Sequence, residues 1–250
     1  MADLHFIKAG SGDKKIVFIH GNLASSLWWK KTLSEIKAPC EGYAVDLPGC
    51  GKTKETEAVI TLEYLALLIN NFLKTEGLER VTLVGHSMGG GIAQLMAINY
   101  PERVEKLVLV NSIPMHGFKA FYSYGEDNLR QLRKREQVFR KSIKNVMPKL
   151  KDEDFFEEIV TQAKAISDNT YISHSKAMFD ADWSDRIGMI NSPTLFIQGH
   201  LDRFVTMKGS MKTAEAIKNC SFVTIPNCGH SPMVETPDEF NKVLFDFIGC

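Results

Sequence analysis

The chain has no surplus of charge: among its 250 residues, 30 Lys and Arg stand against 30 Asp and Glu. Proteins that grip nucleic acid carry a basic excess, so no nucleic-acid partner is expected, although whole-chain balance says nothing about a local patch. No two of the 5 cysteines, Cys40, Cys50, Cys220, Cys228 and Cys250, are spaced as C-x-x-C. Neither a zinc site nor a redox dithiol is therefore suggested, and five reduced thiols in a cytoplasmic protein are expected. Met1–Gly10 lacks the basic and apolar regions of a signal peptide. No apolar run approaches the roughly 18 residues of a membrane-spanning helix. No G-x-G-x-x-G follows a strand and no cluster has metal-ligand spacing, so no cofactor and no metal is implied. Repeats and low-complexity stretches are missing too.

What remains is ordinary globular material, 44% hydrophobic and 24% charged. Its length suits one or two domains, and a chain of this size buries enough surface to need no staple. Short apolar, β-branched runs recur: Ile16–Ile19, Tyr43–Leu47, Val81–Val84, Leu107–Val110, Thr194–Ile197 and Phe222–Ile225. Near-continuous apolar runs fit parallel strands buried on both faces. Helical patterns fall between them at Leu62–Thr75, Met88–Asn99, Lys208–Lys218 and Asp238–Phe247. This alternation predicts an α/β fold with a mostly parallel central sheet flanked by helices, and Leu4–Lys8 adds an edge strand.

One stretch breaks the rhythm. Residues 114–185 hold no strand-like run, which predicts a helical cap there and a core made of 1–113 and 186–250. Within it, residues 128–151 carry nine basic side chains and one acidic, and five acidic residues follow in 152–158. A solvated helix face is the plain reading of the basic run; an anion or membrane patch is the sharper one. Leu132, Phe139, Ile143 and Val146 read as one helical stripe. The aromatics Phe118, Phe121, Tyr122, Tyr124, Phe155, Phe156, Tyr171, Phe179 and Trp183 offer lining for a pocket, but most are expected to serve the segment's own packing.

The chemistry starts at Gly85-His86-Ser87-Met88-Gly89, a G-x-S-x-G between a predicted strand and a predicted helix. In that context the serine sits on a tight turn with its hydroxyl exposed at a helix start, where free N–H groups favour negative charge. A serine hydroxyl needs a base to become a nucleophile. His230 follows the last strand in Cys228-Gly229-His230-Ser231-Pro232, and Asp202 follows the preceding strand in Gly199-His200-Leu201-Asp202. Both therefore fall at the C-terminal edge of the sheet, where sites of open α/β sheets gather. Competing acids fare worse. The position after Leu107–Val110 reads Asn111-Ser112, without a carboxylate, and Asp180, Asp182 and Asp185 lie in the helical stretch. An oxyanion hole is expected from the backbone N–H groups of Asn22, in His20-Gly21-Asn22-Leu23, and of Met88. His20 and His200 read as loop residues rather than bases.

Taken jointly, His20-Gly-Asn-Leu, Asp46-Leu-Pro-Gly-Cys-Gly-Lys-Thr, Gly85-His-Ser-Met-Gly-Gly-Gly, Pro101-Glu-Arg-Val, Gly199-His-Leu-Asp and Cys228-Gly-His-Ser-Pro span nearly the whole chain. The chain resembles small serine hydrolases of the α/β-hydrolase fold family with a helical cap. The resemblance implies a cap inserted after the sixth strand of the family's usual series, a Ser87–His230–Asp202 triad and no cofactor. It implies a small-molecule ester or related acyl substrate, cleaved through an acyl-enzyme; lactone, thioester and C–C bond hydrolysis, and acyl transfer, remain open. A ligand receptor on the same scaffold is a third reading. Asp46 is expected to fix its turn rather than to join the triad. The family's longer N-terminal hairpin is absent, which predicts a short sheet of seven strands or a very short first strand. Oligomeric state is not legible.

Overall fold

The computed structural model describes residues 3–118 and 125–250. Its sheet runs β1 (Phe6–Gly10), β3 (Cys40–Val45), β2 (Lys14–Ile19), β4 (Val81–His86), β5 (Val104–Val110), β6 (Thr194–Gly199) and β7 (Cys220–Ile225), in that spatial order. β1 lies antiparallel to β3, with Phe6 opposite Val45. All other neighbours are parallel. Seven strands are thus present, and the first is the short edge strand.

Helices cover both faces, and this is why the central runs are apolar without alternation. Every residue of β3, β4 and β6 is buried. The helices are α1 (Lys30–Leu33), α2 (Leu62–Thr75), α3 (Met88–Asn99), α4 (Glu126–Lys134), α5 (Glu136–Val146), α6 (Glu153–Ala165), α7 (Asp168–Asp180), α8 (Met207–Glu215), α9 (Pro232–Glu235) and α10 (Pro237–Ile248). α2 begins where Thr61 Oγ1 accepts the Tyr64 N–H at 3.0 Å, an N-cap that satisfies one orphan donor. Its Leu62, Leu65, Ile69 and Leu73 then form a buried stripe against the sheet. α3 is buried nearly all round and ends ahead of Pro101. One core cluster joins α2 and α3 to one sheet face, and another packs Trp28, Trp29, Phe240 and Leu244 on the opposite face.

Between β5 and β6 lie α4 to α7. The stripe read as one helix is two: the chain breaks at Arg135 (φ −100°, ψ 91°), which separates Leu132 on α4 from Phe139, Ile143 and Val146 on α5. Four of the nine basic residues in the run, Arg130, Arg133, Arg140 and Lys144, are answered by nearby acids. Arg140 pairs with Glu157 at 2.5 Å, Lys144 with Glu153 at 2.9 Å, Lys164 with Glu136 at 2.5 Å and Arg133 with Asp168 at 2.8 Å. Trp183 turns away from this segment into the sheet core, its Nε1–H donating to Gln94 Oε1 at 3.0 Å.

The expectation of five reduced thiols is corrected. Cys40, at the start of β3, and Cys250, just past α10, form a disulfide with Cα atoms 5.8 Å apart. Their separation of 210 residues carries no pairing signal; only the packing of α10 beside the sheet brings them together. The thiol argument for a cytoplasmic address falls with it. Among the described residues no helix is long and apolar enough to cross a membrane.

Candidate active site

The parallel strands end at one edge, and the loops leaving that edge carry His20, Asp46, Ser87, Asn111, Asp202 and His230. Ser87 joins β4 to α3 with φ 53° and ψ −114°. Such a backbone costs a non-glycine residue on the order of 1–3 kcal/mol, and its surroundings hold it there. The Ser87 N–H donates to the Val110 carbonyl at 3.0 Å, while its own carbonyl accepts from Gly90 N–H at 3.0 Å and Ile113 N–H at 3.1 Å. The turn also needs glycine on both sides. A Cβ at Gly85 would strike the Gly89 carbonyl, and one at Gly89 would strike the Ile19 carbonyl.

Met88 opens α3, so its N–H has no intrahelical acceptor. Among the described residues neither Met88 N–H nor Asn22 N–H donates a hydrogen bond. The Asn22 side chain is engaged: Oδ1 accepts from Leu23 N–H at 2.9 Å and Nδ2 donates to Ser175 Oγ on α7 at 2.9 Å.

His230 Nδ1 lies 2.7 Å from Asp202 Oδ2, and both side chains are almost wholly buried. A carboxylate there accepts, so Nδ1 carries a proton, and in the neutral ring Nε2 is the nitrogen left with a lone pair. Asp202 is held from all sides. Oδ2 also accepts from Asn111 Nδ2 at 2.6 Å and Gln198 Nε2 at 3.2 Å, and Oδ1 from the N–H groups of Phe204 at 2.7 Å and Val205 at 3.1 Å. Burial alone would push this carboxyl up; the facing His230 and the donors from His230, Asn111 and Phe204 outweigh it and hold it below the usual range. The structure thus brings Asp202 to His230, and places Ser87 and His230 on one cavity wall. Among the described residues Ser87 Oγ and His230 Nε2 form no hydrogen bond; apo sites are often loose at this contact.

Asn111 and Gln198 are the residues that sequence reasoning missed. Asn111 ends β5 with φ 43°. Its amide donates to Asp202 and to the Gly229 carbonyl at 3.3 Å, and its Oδ1 accepts from Gly199 N–H at 3.2 Å. The position that lacks a carboxylate steadies the one that has it. His86 also acts on the base loop, its Nε2–H reaching the His230 carbonyl at 2.9 Å while its ring stacks on Trp28. Burial, then the neighbouring His230, keep the His86 ring neutral. His20 Nε2 accepts from Leu47 N–H at 3.0 Å and its Nδ1 donates to the Gly21 carbonyl at 2.7 Å, a loop brace. Asp46 accepts from Ser26 N–H at 2.7 Å and Lys52 N–H at 3.0 Å, closing its turn.

Above Ser87 opens a cavity of about 340 Å³. Asn22, Trp28, His86, Ser87 and His230 form its floor. Leu129, Leu132, Ile143, Val146, Met178 and Phe179 face them from the helices between β5 and β6. Of the aromatics in question, Phe118, Tyr171 and Phe179 line the cavity, while Phe155, Phe156 and Trp183 pack in the cores. Phe121, Tyr122 and Tyr124 lie outside the described residues. The described lining contains no Lys, Arg, Asp or Glu.

A profile of the alpha/beta hydrolase fold matches residues 14–237. The chain belongs to the α/β-hydrolase fold family. Among its relatives is the 2-hydroxy-6-oxononadienedioate/2-hydroxy-6-oxononatrienedioate hydrolase of Paraburkholderia phymatum, 29% identical with 98% of this chain and 91% of the relative covered. The 2-hydroxy-6-oxo-6-phenylhexa-2,4-dienoate hydrolase of Comamonas testosteroni is also 29% identical, with the same coverage of 98% and 91%. Among solved α/β hydrolases, an esterase from Exiguobacterium antarcticum superposes with TM-score 0.87 at 21% identity, covering 100% of this chain and 96% of that one. An enol-lactonase from Burkholderia xenovorans superposes with TM-score 0.86 at 18% identity, covering 100% and 97%. The shared fold supports hydrolytic chemistry; the bond that is cleaved is a separate question.

Proposed function

We propose that the protein is a serine carboxylic-ester hydrolase acting on small esters with an apolar acyl group. The observation that carries this reading is the strained Ser87 elbow facing a hydrogen-bonded His230–Asp202 pair across one apolar cavity. In this scheme His230 Nε2 takes the Ser87 hydroxyl proton as Oγ attacks the ester carbonyl carbon. Asp202 fixes the imidazole tautomer and stabilises the imidazolium. The oxyanion forms against the N–H groups of Asn22 and Met88, each such donor being worth roughly 3–4 kcal/mol in the transition state. His230 then gives its proton to the leaving oxygen, the C–O bond breaks, and an acyl-Ser87 remains. Water, deprotonated by His230, releases the acid and restores the serine. In this reading residues 114–185 act as the cap that selects the acyl group over a core of 1–113 and 186–250.

C–C bond hydrolysis is the second reading, favoured by the curated relatives, whose names specify oxo-dienoate hydrolysis. Those substrates carry a carboxylate; the described lining of the cavity above Ser87 offers no cation to meet one, and Lys149 and Arg203 lie in a separate cavity past His230, so the ester, which requires no cation, is the first reading. A panel of p-nitrophenyl esters of increasing acyl length, run beside a 2-hydroxy-6-oxo-dienoate, tests the choice. Turnover of the esters with a preferred acyl length supports the proposal. Dienoate cleavage without ester turnover would overturn it.

A further inference from the structure

A second cavity, of about 570 Å³, opens beside the first and shares one wall with it, the Phe204 ring. Asn145, Pro148, Lys149, His200 and Arg203 surround it. The Phe204 ring centroid stands 5.6 Å from that of His230, so this space lies directly past the base.

Its lining differs from that of the first cavity: Lys149 and Arg203 face this space, whereas no Lys or Arg belongs to the described lining of the other. Among the described residues Lys149 and Arg203 have no ion pair. The two acids at hand do not quench them. Asp202 has both oxygens occupied by His230, Asn111, Gln198 and backbone donors. Glu235 meets Lys149 through the backbone, accepting Lys149 N–H at 2.9 Å and Ser231 N–H at 3.0 Å. Two exposed cations, Lys149 and Arg203, thus face a concave space, with the His200 ring beside them.

Position decides what such a space would hold. The leaving oxygen must come to His230 Nε2 to collect its proton. The part of the substrate beyond that oxygen therefore extends past His230, toward Phe204, while the acyl group occupies the apolar cavity. We propose that the second cavity binds an anionic group, a carboxylate or similar oxyanion, carried on the alcohol side of the ester. The preferred substrates then pair an apolar acyl chain with an acidic alcohol part. This rests on the esterase reading for its orientation, but not for the anion site itself.

Two esters that differ only in charge test it: 4-carboxyphenyl butyrate and 4-carbamoylphenyl butyrate, each rate normalised to its alkaline hydrolysis. The wild type should favour the carboxylate by roughly 3- to 10-fold in kcat/KM at low salt and lose that preference near 0.5 M salt, as exposed charges are screened. The Lys149→Gln/Arg203→Gln double variant should hydrolyse the neutral ester as before and show no preference. Equal rates in the wild type, or a preference that survives in the double variant, would overturn the proposal. Calorimetry with the products separates this from the esterase reading. 4-Hydroxybenzoate should bind the wild type more tightly than 4-hydroxybenzamide and the double variant equally, whether or not either ester is turned over. Equal affinities in the wild type sink the anion site; a charge preference in binding with no ester turnover sinks the esterase reading alone.

Discussion

The sheet edge and the helices above it are held together by different physics. At the edge, Ser87, Asn111 and Asp202 are fixed by buried backbone and amide hydrogen bonds and by glycines that admit no side chain. Above it, α5 and α6 are joined at their rim by exposed ion pairs such as Arg140–Glu157 and Lys144–Glu153. Buried, fully satisfied networks rigidify, whereas exposed pairs are individually weak and screened by salt. Under the proposed function, the chemistry sits where geometry is over-determined, and substrate choice where a few apolar side chains can change at little cost.

The largest effect belongs to the edge. Ser87→Ala should lower kcat for ester hydrolysis by roughly 10⁵–10⁶ and leave the thermal midpoint near wild type, read by stopped-flow assay and calorimetry. A residual rate of a tenth would remove Ser87 from the mechanism. Next comes Asn111→Ala, which deletes a donor to the Asp202 carboxylate. Hydrogen bonds to charged groups are worth about 1.5–3 kcal/mol, so kcat should fall by about 10- to 100-fold. KM should barely move, because the amide meets the acid and not the substrate.

Much of the edge was legible in the chain and much of the helical segment was not. The strand runs announced themselves because burial on both faces leaves no polar alternation, and the elbow because Gly85 and Gly89 flank Ser87 between a strand and a helix. Asn111 was passed over because its role depends on register. Val110 pairs with Ile197, and that pairing alone carries Asn111 to the loop holding Asp202. The break at Arg135 had no signal, since apolar spacing continues across it. Cys40–Cys250 had none either, because pairing at that separation is set by tertiary packing.

A third prediction concerns acid stability and sits between the two regions. His174 of α7 is fully buried, with both ring nitrogens lacking partners among the described residues. Burial, helped by the nearby His20, pushes its pKa down to about 3. An unfolded histidine titrates near ~6.5, so between these values the unfolded chain binds the extra proton. Stability from this group is therefore complete above about pH 6.5 and is lost as pH falls toward 3, by about 2 kcal/mol at about pH 5. The lowered values of His20 and His86 act in the same direction. Urea titrations at several pH values should show a shallower acid slope for His174→Phe; an unchanged slope would mean the ring finds a partner when protonated.

The smallest effect is expected at the rim. Glu157→Ala, which frees Arg140, should move the thermal midpoint by no more than about 2 °C and leave kcat unchanged. A large loss of activity would show that the ion pairs shape the site after all, and the contrast between the two regions would fail.

The central claim is that Ser87 becomes acylated. The direct measurement is rapid-quench mass spectrometry of the protein mixed with a p-nitrophenyl ester, combined with the early release of p-nitrophenol. The account predicts a mass increase equal to one acyl group, located on the peptide containing Ser87, forming with the first equivalent of p-nitrophenol and decaying at the deacylation rate. It predicts further that Asp202→Asn slows formation of this adduct. Steady ester turnover with no acyl group on Ser87, or with the acyl group on another residue, would contradict it.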